Sequence, residues 1–188
     1  MYHITWDAIQ IGVSSRQNGA RYLDNAGSAV SEGFELSVQS RPRVGLNIIG
    51  WVAWNRAELT QDMPLESSTI GIAGDPLPYS ARFTGSLSAQ QHVALAGSTS
   101  GFFGASVSYV GQRFISFQSN AKTRAVLPAY ARLDARLGIE HDSWTANLFV
   151  NNLTDCRGML ARGVDAGPPY AVNYIQPRTF GLSLLKTF

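Results

Sequence analysis

Cysteine and charge are both scarce in this sequence of 188 residues. It contains 1 Cys, and its charged residues make up 15% of the chain, below the roughly 25% of ordinary globular domains. A single cysteine excludes a disulfide scaffold and a cysteine-rich zinc module. Disordered chains are highly charged and poor in aromatic residues, so the aromatic content of 11% excludes that class. The net charge is only +2 and the basic residues are scattered, so we expect no nucleic-acid partner.

Long apolar runs are also missing. Residues 1–7 contain neither the basic nor the apolar segment of a secretory signal, so the chain is either cytosolic or starts partway through a longer one. The stretch 93–111 lacks charge and has the length of a membrane helix. However, Ser98, Thr99 and Ser100 occupy its middle, which favours two strands joined by a turn. A mean hydropathy of −0.04 argues against helical membrane proteins but not against membrane β-barrels, whose strands alternate apolar and polar residues.

Alternation with a period of two dominates the chain. It predicts strands with one apolar face over the segments 34–38, 46–54, 81–89, 103–111, 144–150 and 180–188. In 2–13 the apolar residues change from even to odd positions, and a β-bulge near Asp7 and Ala8 would restore one apolar face. The segment 128–137 fits a helix by propensity and a strand by its neighbours; we interpret it as a strand.

The connections between these segments differ systematically in length. Short connections at 41–45, 97–101 and 141–143 alternate with long ones at 14–25, 56–78, 113–127 and 153–173. Outer-membrane barrels have short turns at one end and long loops at the other. The sequence therefore predicts an all-β fold, an antiparallel up-and-down transmembrane β-barrel segment of about eight strands. Such a segment forms an open curved sheet or a small closed barrel, and we expect the open form.

The polar faces of the predicted strands carry the candidate ligand-binding residues. Arg132, Asp134 and Arg136 project together from one strand, and Glu35 and Arg82 project from others. These five side chains would line a wet lumen, although the solvent face of a soluble β-sandwich shows the same pattern. Aromatic residues near strand ends are typical of membrane-interface girdles; they are Trp6, Trp54, Tyr109, Trp144 and Phe188.

Motifs of catalysis and metal binding are absent from the sequence. His3, His92 and His141 have no metal-ligand partners at motif spacing, and the adjacent residues 141–143 cannot form a catalytic triad. Cys156 has no histidine nearby in sequence. Asn152 begins a glycosylation sequon, a three-residue pattern that often matches by chance. We expect no catalytic residue, no metal site and no cofactor.

Two C-terminal motifs carry a resemblance to a known family. The letters N-N-L-T-D at 151–155, followed by Y-I-Q-P-R-T-F-G-L at 174–182 and a terminal Phe188, resemble the end of TonB-dependent outer-membrane receptors. Upstream, Y-L-D-N-A-G at 22–27 and S-E-G-F-E-L at 31–36 are similar to another segment of that family, as is D-A-I-Q at 7–10. Each motif is weak alone, but together and in this order they are fairly specific.

The resemblance implies a function in nutrient uptake. Members are barrels of about 22 strands plugged by an N-terminal domain, and they import siderophores, haem, cobalamin or similar nutrients with energy from the TonB complex. Residues 1–188 would be the C-terminal part of such a barrel in a Gram-negative outer membrane, without the plug and unable to transport alone. The implied partners are outer-membrane lipid, the missing plug and barrel strands, the TonB complex through that plug, and the outer-membrane assembly machinery.

The resemblance also assigns a role to the last strand. Phe180, Leu182, Leu184 and Phe188 would form the C-terminal signal that the assembly machinery reads, while Lys186 departs from the apolar residue usual on that face. Two alternatives stay open. The chain could be a self-sufficient eight-stranded outer-membrane protein with a structural, adhesive or lipid-modifying role, or a soluble ligand-binding β-barrel.

Overall fold

The structure, a computed structural model, is built from strands. It describes residues 1–14, 18–25, 27–64, 70–117, 119, 125–163 and 171–188. These residues contain no helix of a length and apolarity that would cross a membrane. In chain order the strands are β1 (Tyr2–Trp6), β2 (Gln10–Ser14), β3 (Arg21–Asn25), β4 (Ala29–Arg43), β5 (Leu46–Leu59), β6 (Phe83–Ala94), β7 (Thr99–Val110), β8 (Arg113–Phe114), β9 (Val126–Leu127), β10 (Tyr130–His141), β11 (Trp144–Asn151), β12 (Met159–Arg162), β13 (Val172–Tyr174) and β14 (Thr179–Lys186).

Eight strands form one antiparallel sheet. Their order is β1-β4-β5-β6-β7-β10-β11-β14, so each strand pairs with the next member of the sheet along the chain. Within the part of the chain that the structure describes, no strand pairs with the outer side of β1 or β14. The other strands form the hairpins β2-β3, β8-β9 and β12-β13 within the long connections. The predicted all-β, up-and-down sheet of about eight strands is confirmed, and the sheet is open.

The turns at one end of the sheet are short. Val44 and Gly45 join β4 to β5, and Asp142 and Ser143 join β10 to β11. Gly45 has φ 78°, and a Cβ atom there would collide with the carbonyl oxygen of His92, so this turn requires glycine. This end of the sheet is termed the short-turn end and the opposite one the long-loop end. The predicted alternation of short and long connections is confirmed.

The register places most apolar side chains of the sheet on one face. Leu87 lies opposite Val107, which lies opposite Leu133, and opposite residues in an antiparallel pair point to the same side. We term this side the apolar face, and it also carries Leu36, Val52, Leu137, Leu148 and Leu182. Leu148 and Leu182 are 52% and 63% exposed. A continuous exposed apolar surface of this kind is what a lipid-facing barrel wall requires.

The segment 2–13 does not form the single bulged strand that its apolar pattern predicts. The chain leaves the sheet after Trp6, and Ala8 has φ 56°, a left-handed backbone that turns the chain away. β2 then pairs with β3 in a separate hairpin. The orientation of the Ile11 and Val13 side chains lies outside the described part of the structure.

The side chains of β1 also point the other way from the prediction. Tyr2 lies opposite Gly33, and Gly33 lies opposite Asn55; the Tyr2 hydroxyl donates to Asn55 Oδ1 at 2.9 Å. Tyr2 and, by alternation, Trp6 therefore lie on the polar face, so Trp6 does not belong to an outward aromatic girdle. Trp54 does lie on the apolar face, with its ring centroid 6.2 Å from that of Phe34.

The ambiguous segment 128–137 is a strand, as interpreted from its neighbours. β10 pairs with β7 along its whole length and with β11 over its second half. These hydrogen bonds and side-chain contacts outweigh the helix propensity of its Ala, Leu and Arg residues.

A small buried cluster lies at the long-loop end. Ala29, Leu59, Met63 and Phe117 form it. The nearby carboxylate of Asp75, which is 7% exposed, accepts hydrogen bonds from the backbone N–H groups of Ile72 and Ser119, both at 3.2 Å. These contacts fasten the β5–β6 connection to the segment that follows β8.

Candidate functional site

The predicted lumen-facing residues lie on the polar face of the sheet. Along β10, Arg132 and Asp134 stand opposite two serines of β7, and Arg136 follows on the same side. Glu35 lies on β4 opposite Ala53. Arg82 immediately precedes β6, and its carbonyl oxygen accepts the N–H of Asn55 at 2.9 Å. That bond continues the β5–β6 pairing and places Arg82 opposite a residue of the polar face.

Arg132 and Asp134 form an ion pair. Asp134 Oδ2 accepts from Arg132 Nε at 3.1 Å and lies 3.0 Å from Arg132 Nη2. Its other oxygen, Oδ1, accepts the backbone N–H of Asn152 at 2.8 Å. The Asp134 side chain is 18% exposed and that of Arg132 is 45% exposed. Both carboxylate oxygens are therefore engaged within the protein, while part of the guanidinium still faces solvent.

Arg136 belongs to a second group on the same face. Its Nη2 donates to Gln90 Oε1, and its guanidinium lies 6.0 Å from the centre of the Phe102 ring. Gln90 Nε2 is 2.6 Å from His92 Nε2. A cavity of about 370 Å³ lies beside this group, with a lining that includes Ser88, Gln90, Ser106, Asp134, Arg136 and Asn147. Amide, hydroxyl and guanidinium groups together can bind a polar or anionic solute.

Glu35 and Arg82 are not joined to these groups. Both are exposed, and among the described residues no hydrogen bond or ion pair links either of them to Arg132, Asp134 or Arg136. The structure thus places all five candidates on one face, pairs Arg132 with Asp134, and brings Asp134 and Arg136 to one cavity. Ligand binding by these five residues stays a prediction.

Asn152, which the sequence marked as the start of a sequon and as part of the motif at 151–155, is a central structural residue. It is 1% exposed and has φ 53°. Its Nδ2 donates to the carbonyl oxygens of Cys156 and Gln176, both at 2.9 Å, and its Oδ1 accepts the N–H of Cys156 at 2.9 Å. Asparagine tolerates the left-handed conformation better than most residues. A buried and fully bonded amide is not available as a glycan acceptor.

Asp155 completes the same loop. Its Oδ1 accepts the backbone N–H of Arg178 at 3.0 Å, and its Oδ2 accepts from Arg157 Nη2 at 3.1 Å. The hydrogen bond from the Arg178 backbone, followed by the charge of Arg157, holds the pKa of this carboxyl below its ordinary value.

The segment 152–158, termed the Asn152 loop, ties three strands together at the long-loop end. The N–H of Leu153 donates to the carbonyl oxygen of Leu133 in β10 at 2.7 Å. Asn152 itself follows β11, and its bond to Gln176 reaches the segment before β14. The motifs at 151–155 and 174–182 are thus two halves of one hydrogen-bonded unit. The side-chain oxygens at 152 and 155 were visible in the sequence, but their shared partners were not.

The residues proposed as an assembly signal lie along the free edge of the sheet. Phe180, Leu182 and Leu184 point from β14 to the apolar face and are 72%, 63% and 65% exposed; Phe188 follows the end of that strand. Lys186 shares this face, with its Nζ 5.0 Å from the centre of the Trp144 ring and 5.1 Å from that of Phe188. Two aromatic contacts thus accompany the cation at this position. Recognition by assembly machinery stays a prediction.

The histidines and the cysteine lie apart in the fold. His3 is 3.5 Å from Glu32, and His141 is 3.5 Å from Asp142 within a tight turn. Cys156 is a free thiol. Within the described ranges no group of three or more His, Cys, Asp or Glu residues could hold a metal ion.

Comparison with known proteins identifies the family. The family model described as TonB dependent receptor-like, beta-barrel, matches residues 2–153, more than half of the chain. No curated protein sequence matches the chain significantly.

Solved structures share the fold. The ferric yersiniabactin uptake receptor FyuA from Yersinia pestis aligns with a TM-score of 0.78 and 21% identity over 99% of this chain and 26% of its own. The ferric-catecholate import receptor Fiu from E. coli K12 aligns with a TM-score of 0.69 and 22% identity over 99% of this chain and 24% of its own. The FrpB iron transporter from Neisseria meningitidis aligns with a TM-score of 0.67 and 17% identity over 96% of this chain and 27% of its own. The chain thus spans about a quarter of the length of these receptors. By its family match and its fold, it belongs to the TonB-dependent receptor β-barrel family.

Proposed function

We propose that this chain forms the C-terminal part of the barrel wall of an outer-membrane receptor that imports a ferric siderophore or a similar chelated nutrient. The observation that carries the proposal is the open eight-stranded sheet, with one apolar face, one polar face and both edges unpaired among the described residues. Membership of the TonB-dependent receptor family supplies the context.

The two edges require partner strands. Among the described residues, the outer sides of β1 and β14 have no pairing strand, and each backbone N–H or C=O group left unpaired costs several kcal/mol in hydrocarbon. Because the chain covers 26% of one solved receptor of this fold, we infer that further strands of the same receptor close the barrel. A plug domain would fill the lumen and couple to the TonB complex, and the chain alone would not transport.

The polar face supports an anionic cargo. Arg136 is exposed and lines the 370 Å³ cavity. Arg132 does not line the cavity, but its partly exposed guanidinium is paired with Asp134, which does. The Asp134 carboxylate itself is occupied. Solved structures of this fold include proteins named for iron uptake and iron transport, and many ferric chelates are anionic. A ferric siderophore is therefore the cargo class that we favour.

Growth on defined iron sources tests this function. A strain that lacks the locus for this protein should fail to grow when one particular ferric siderophore is the sole iron source, and should grow on free ferrous iron. A TonB-deficient strain with the locus intact should show the same loss. Normal growth of the deletion strain on every ferric siderophore, haem and cobalamin source offered would refute the proposal, as would fractionation of the protein outside the outer membrane.

A further inference from the structure

A second cavity lies on the opposite side of the sheet from the polar-face site. It is a groove of about 860 Å³ on the apolar face, within the roughly 300–1,000 Å³ of small-molecule sites. Ala89, Ala105 and Ala135 line it and stand side by side on β6, β7 and β10. Larger side chains occupy the neighbouring rows, among them Phe103 and Leu137. The groove is therefore a trough of small residues between apolar walls.

An exposed arginine of the apolar face stands at one end of this groove; a second lining arginine, Arg136, directs its side chain to the polar face. Arg43, the last residue of β4, belongs to the lining, and its Nε donates to Gln91 Oε1 at 3.1 Å. None of the described residues that line the groove is acidic. Among the described residues Arg43 makes no ion pair, so its terminal guanidinium nitrogens are open to an outside acceptor. Another arginine, Arg41, lies in the same turn region.

The register shows that the groove runs from the rim of the sheet toward its middle. The row of lining residues nearest the short-turn end consists of laterally paired residues on successive strands. It begins at Leu46, directly beside the Val44-Gly45 turn, and passes through Gln91 and Phe103 to Leu137. Leu137 lies four residues before the end of β10 at His141. The row crosses the strands at right angles, and barrel strands are tilted. The groove therefore starts among polar groups at the short-turn end and extends toward the middle of the apolar face.

We propose that this groove holds one acyl chain of a phospholipid whose phosphate binds Arg43. The inference rests on the proposed function, because short turns face the periplasm in outer-membrane barrels and the lipid then belongs to the inner leaflet. Charge complementarity selects this occupant, since an apolar trough ending at an unpaired guanidinium matches an apolar chain ending at a phosphate. The lining residues of the groove lie on seven neighbouring strands, from β4 to β14, and six spacings of ~4.8 Å give a length of about 29 Å. That distance exceeds the ~15 Å half-thickness of a bilayer core, so one acyl chain of one leaflet can be accommodated.

Photo-crosslinking in a defined bilayer tests the site. The protein is extracted from outer membranes and placed in nanodiscs of phosphatidylethanolamine and phosphatidylglycerol that contain a trace of phosphatidylglycerol with a diazirine midway along one acyl chain. Peptide mapping should find the label concentrated around Ala105 and Ala135. Arg43→Gln should lower this labelling about tenfold, because charge-assisted hydrogen bonds are worth that much or more, and Arg43→Lys should retain most of it.

Matched variants separate the site from general lipid contact. Ala135→Trp fills the groove and should abolish the concentrated label, whereas Ala131→Trp, on the same strand and face but outside the groove, should leave it unchanged. Lys186→Gln removes another cation of the same rim and should also leave it unchanged. Uniform labelling of the apolar face, including Leu36, with no effect of Ala135→Trp would overturn the lipid site but keep the proposed membrane orientation. Absence of label from the whole apolar face would overturn both.

Discussion

Replacing Asn152 by alanine should destabilise the folded sheet by about 3 kcal/mol. The substitution removes the hydrogen bonds of Nδ2 to the carbonyl oxygens of Cys156 and Gln176 and that of Oδ1 to the Cys156 N–H. Each such bond contributes about 0.5–1.5 kcal/mol, and the abandoned partners lie where water has little access. Alanine also fits the left-handed backbone at this position less well than asparagine does. The bonds join the end of β11 to the segment before β14, so the loss should loosen that corner first.

The measurement is denaturant unfolding of the membrane-extracted protein in detergent, followed by the gel shift between the compact and the unfolded form. Asn151→Ala is the matched control: Asn151 is the neighbouring asparagine at the end of β11, its side chain makes no hydrogen bond among the described residues, and its loss should change stability by less than about 0.5 kcal/mol. The reasoning is refuted if Asn152→Ala unfolds at the same denaturant concentration as the native protein. It is equally refuted if Asn151→Ala loses as much stability.

Three further substitutions test other parts of the structure. Asp155 lies in the Asn152 loop, outside the strands of the sheet, and its pKa is lowered from 3.8. The ionised carboxylate therefore stabilises the fold above about pH 4, and this stabilisation is lost as the pH falls through the lower pKa of the folded state. Unfolding curves of Asp155→Asn should accordingly show less acid sensitivity than those of the native protein. Leu148→Arg puts a charge on the apolar face and should cost about 2–4 kcal/mol, whereas Asn147→Arg on the polar face should fold normally, as heat-modified gel migration would show. Gly33→Ala should destabilise by about 1–3 kcal/mol in the same unfolding assay, because its Cβ would collide with the carbonyl oxygen of Trp54.

Controls for these variants come from the same chain. Asp142→Asn removes a carboxylate that is 65% exposed in a short turn, and it should change stability at neutral pH by less than about 0.5 kcal/mol. Gly163→Ala places a Cβ 3.8 Å from the Ala171 carbonyl oxygen, an ordinary contact, and should leave stability unchanged. A matching loss in either control would contradict the local explanation for its partner variant.

The strands were predictable where one face of the sheet is apolar throughout. From 34 to 38 and from 144 to 150 the apolar residues occupy every second position. This is expected because successive side chains of a strand point to opposite faces, and only one face is apolar. β1 pairs with the start of β4, at the long-loop end of the sheet. There the outward side carries His3 and Glu32, so hydrophobicity no longer marks the outward face, and the predicted side of Tyr2 was wrong for that reason.

The remaining features depend on contacts between distant parts of the chain. The turn at Ala8 depends on a positive φ, which the residue type does not predict because alanine rarely adopts it. The partners of Asn152 are backbone groups of a nearby loop residue and of Gln176, which no periodicity can pair. For the five predicted lumen residues, alternation correctly predicted that the side chains share one face of the sheet. The ion pair between Arg132 and Asp134 could not be predicted, because it depends on side-chain rotamers and on the Asn152 N–H.

The unpaired edges of the sheet have a consequence for the order of folding and membrane insertion. β14 spans 8 residues, and in an edge strand alternate residues direct their N–H and C=O groups away from the sheet. Each unpaired group costs several kcal/mol in hydrocarbon. The summed cost for this edge alone would exceed the free energy of unfolding of a whole domain, roughly 5–15 kcal/mol. The sheet would therefore have no stable membrane-inserted state in the absence of the strands that pair with its edges. For the proposed barrel wall, insertion of these strands and closure of the barrel are therefore expected to be a single cooperative event, in which β1 and β14 acquire partners before they reach the centre of the bilayer.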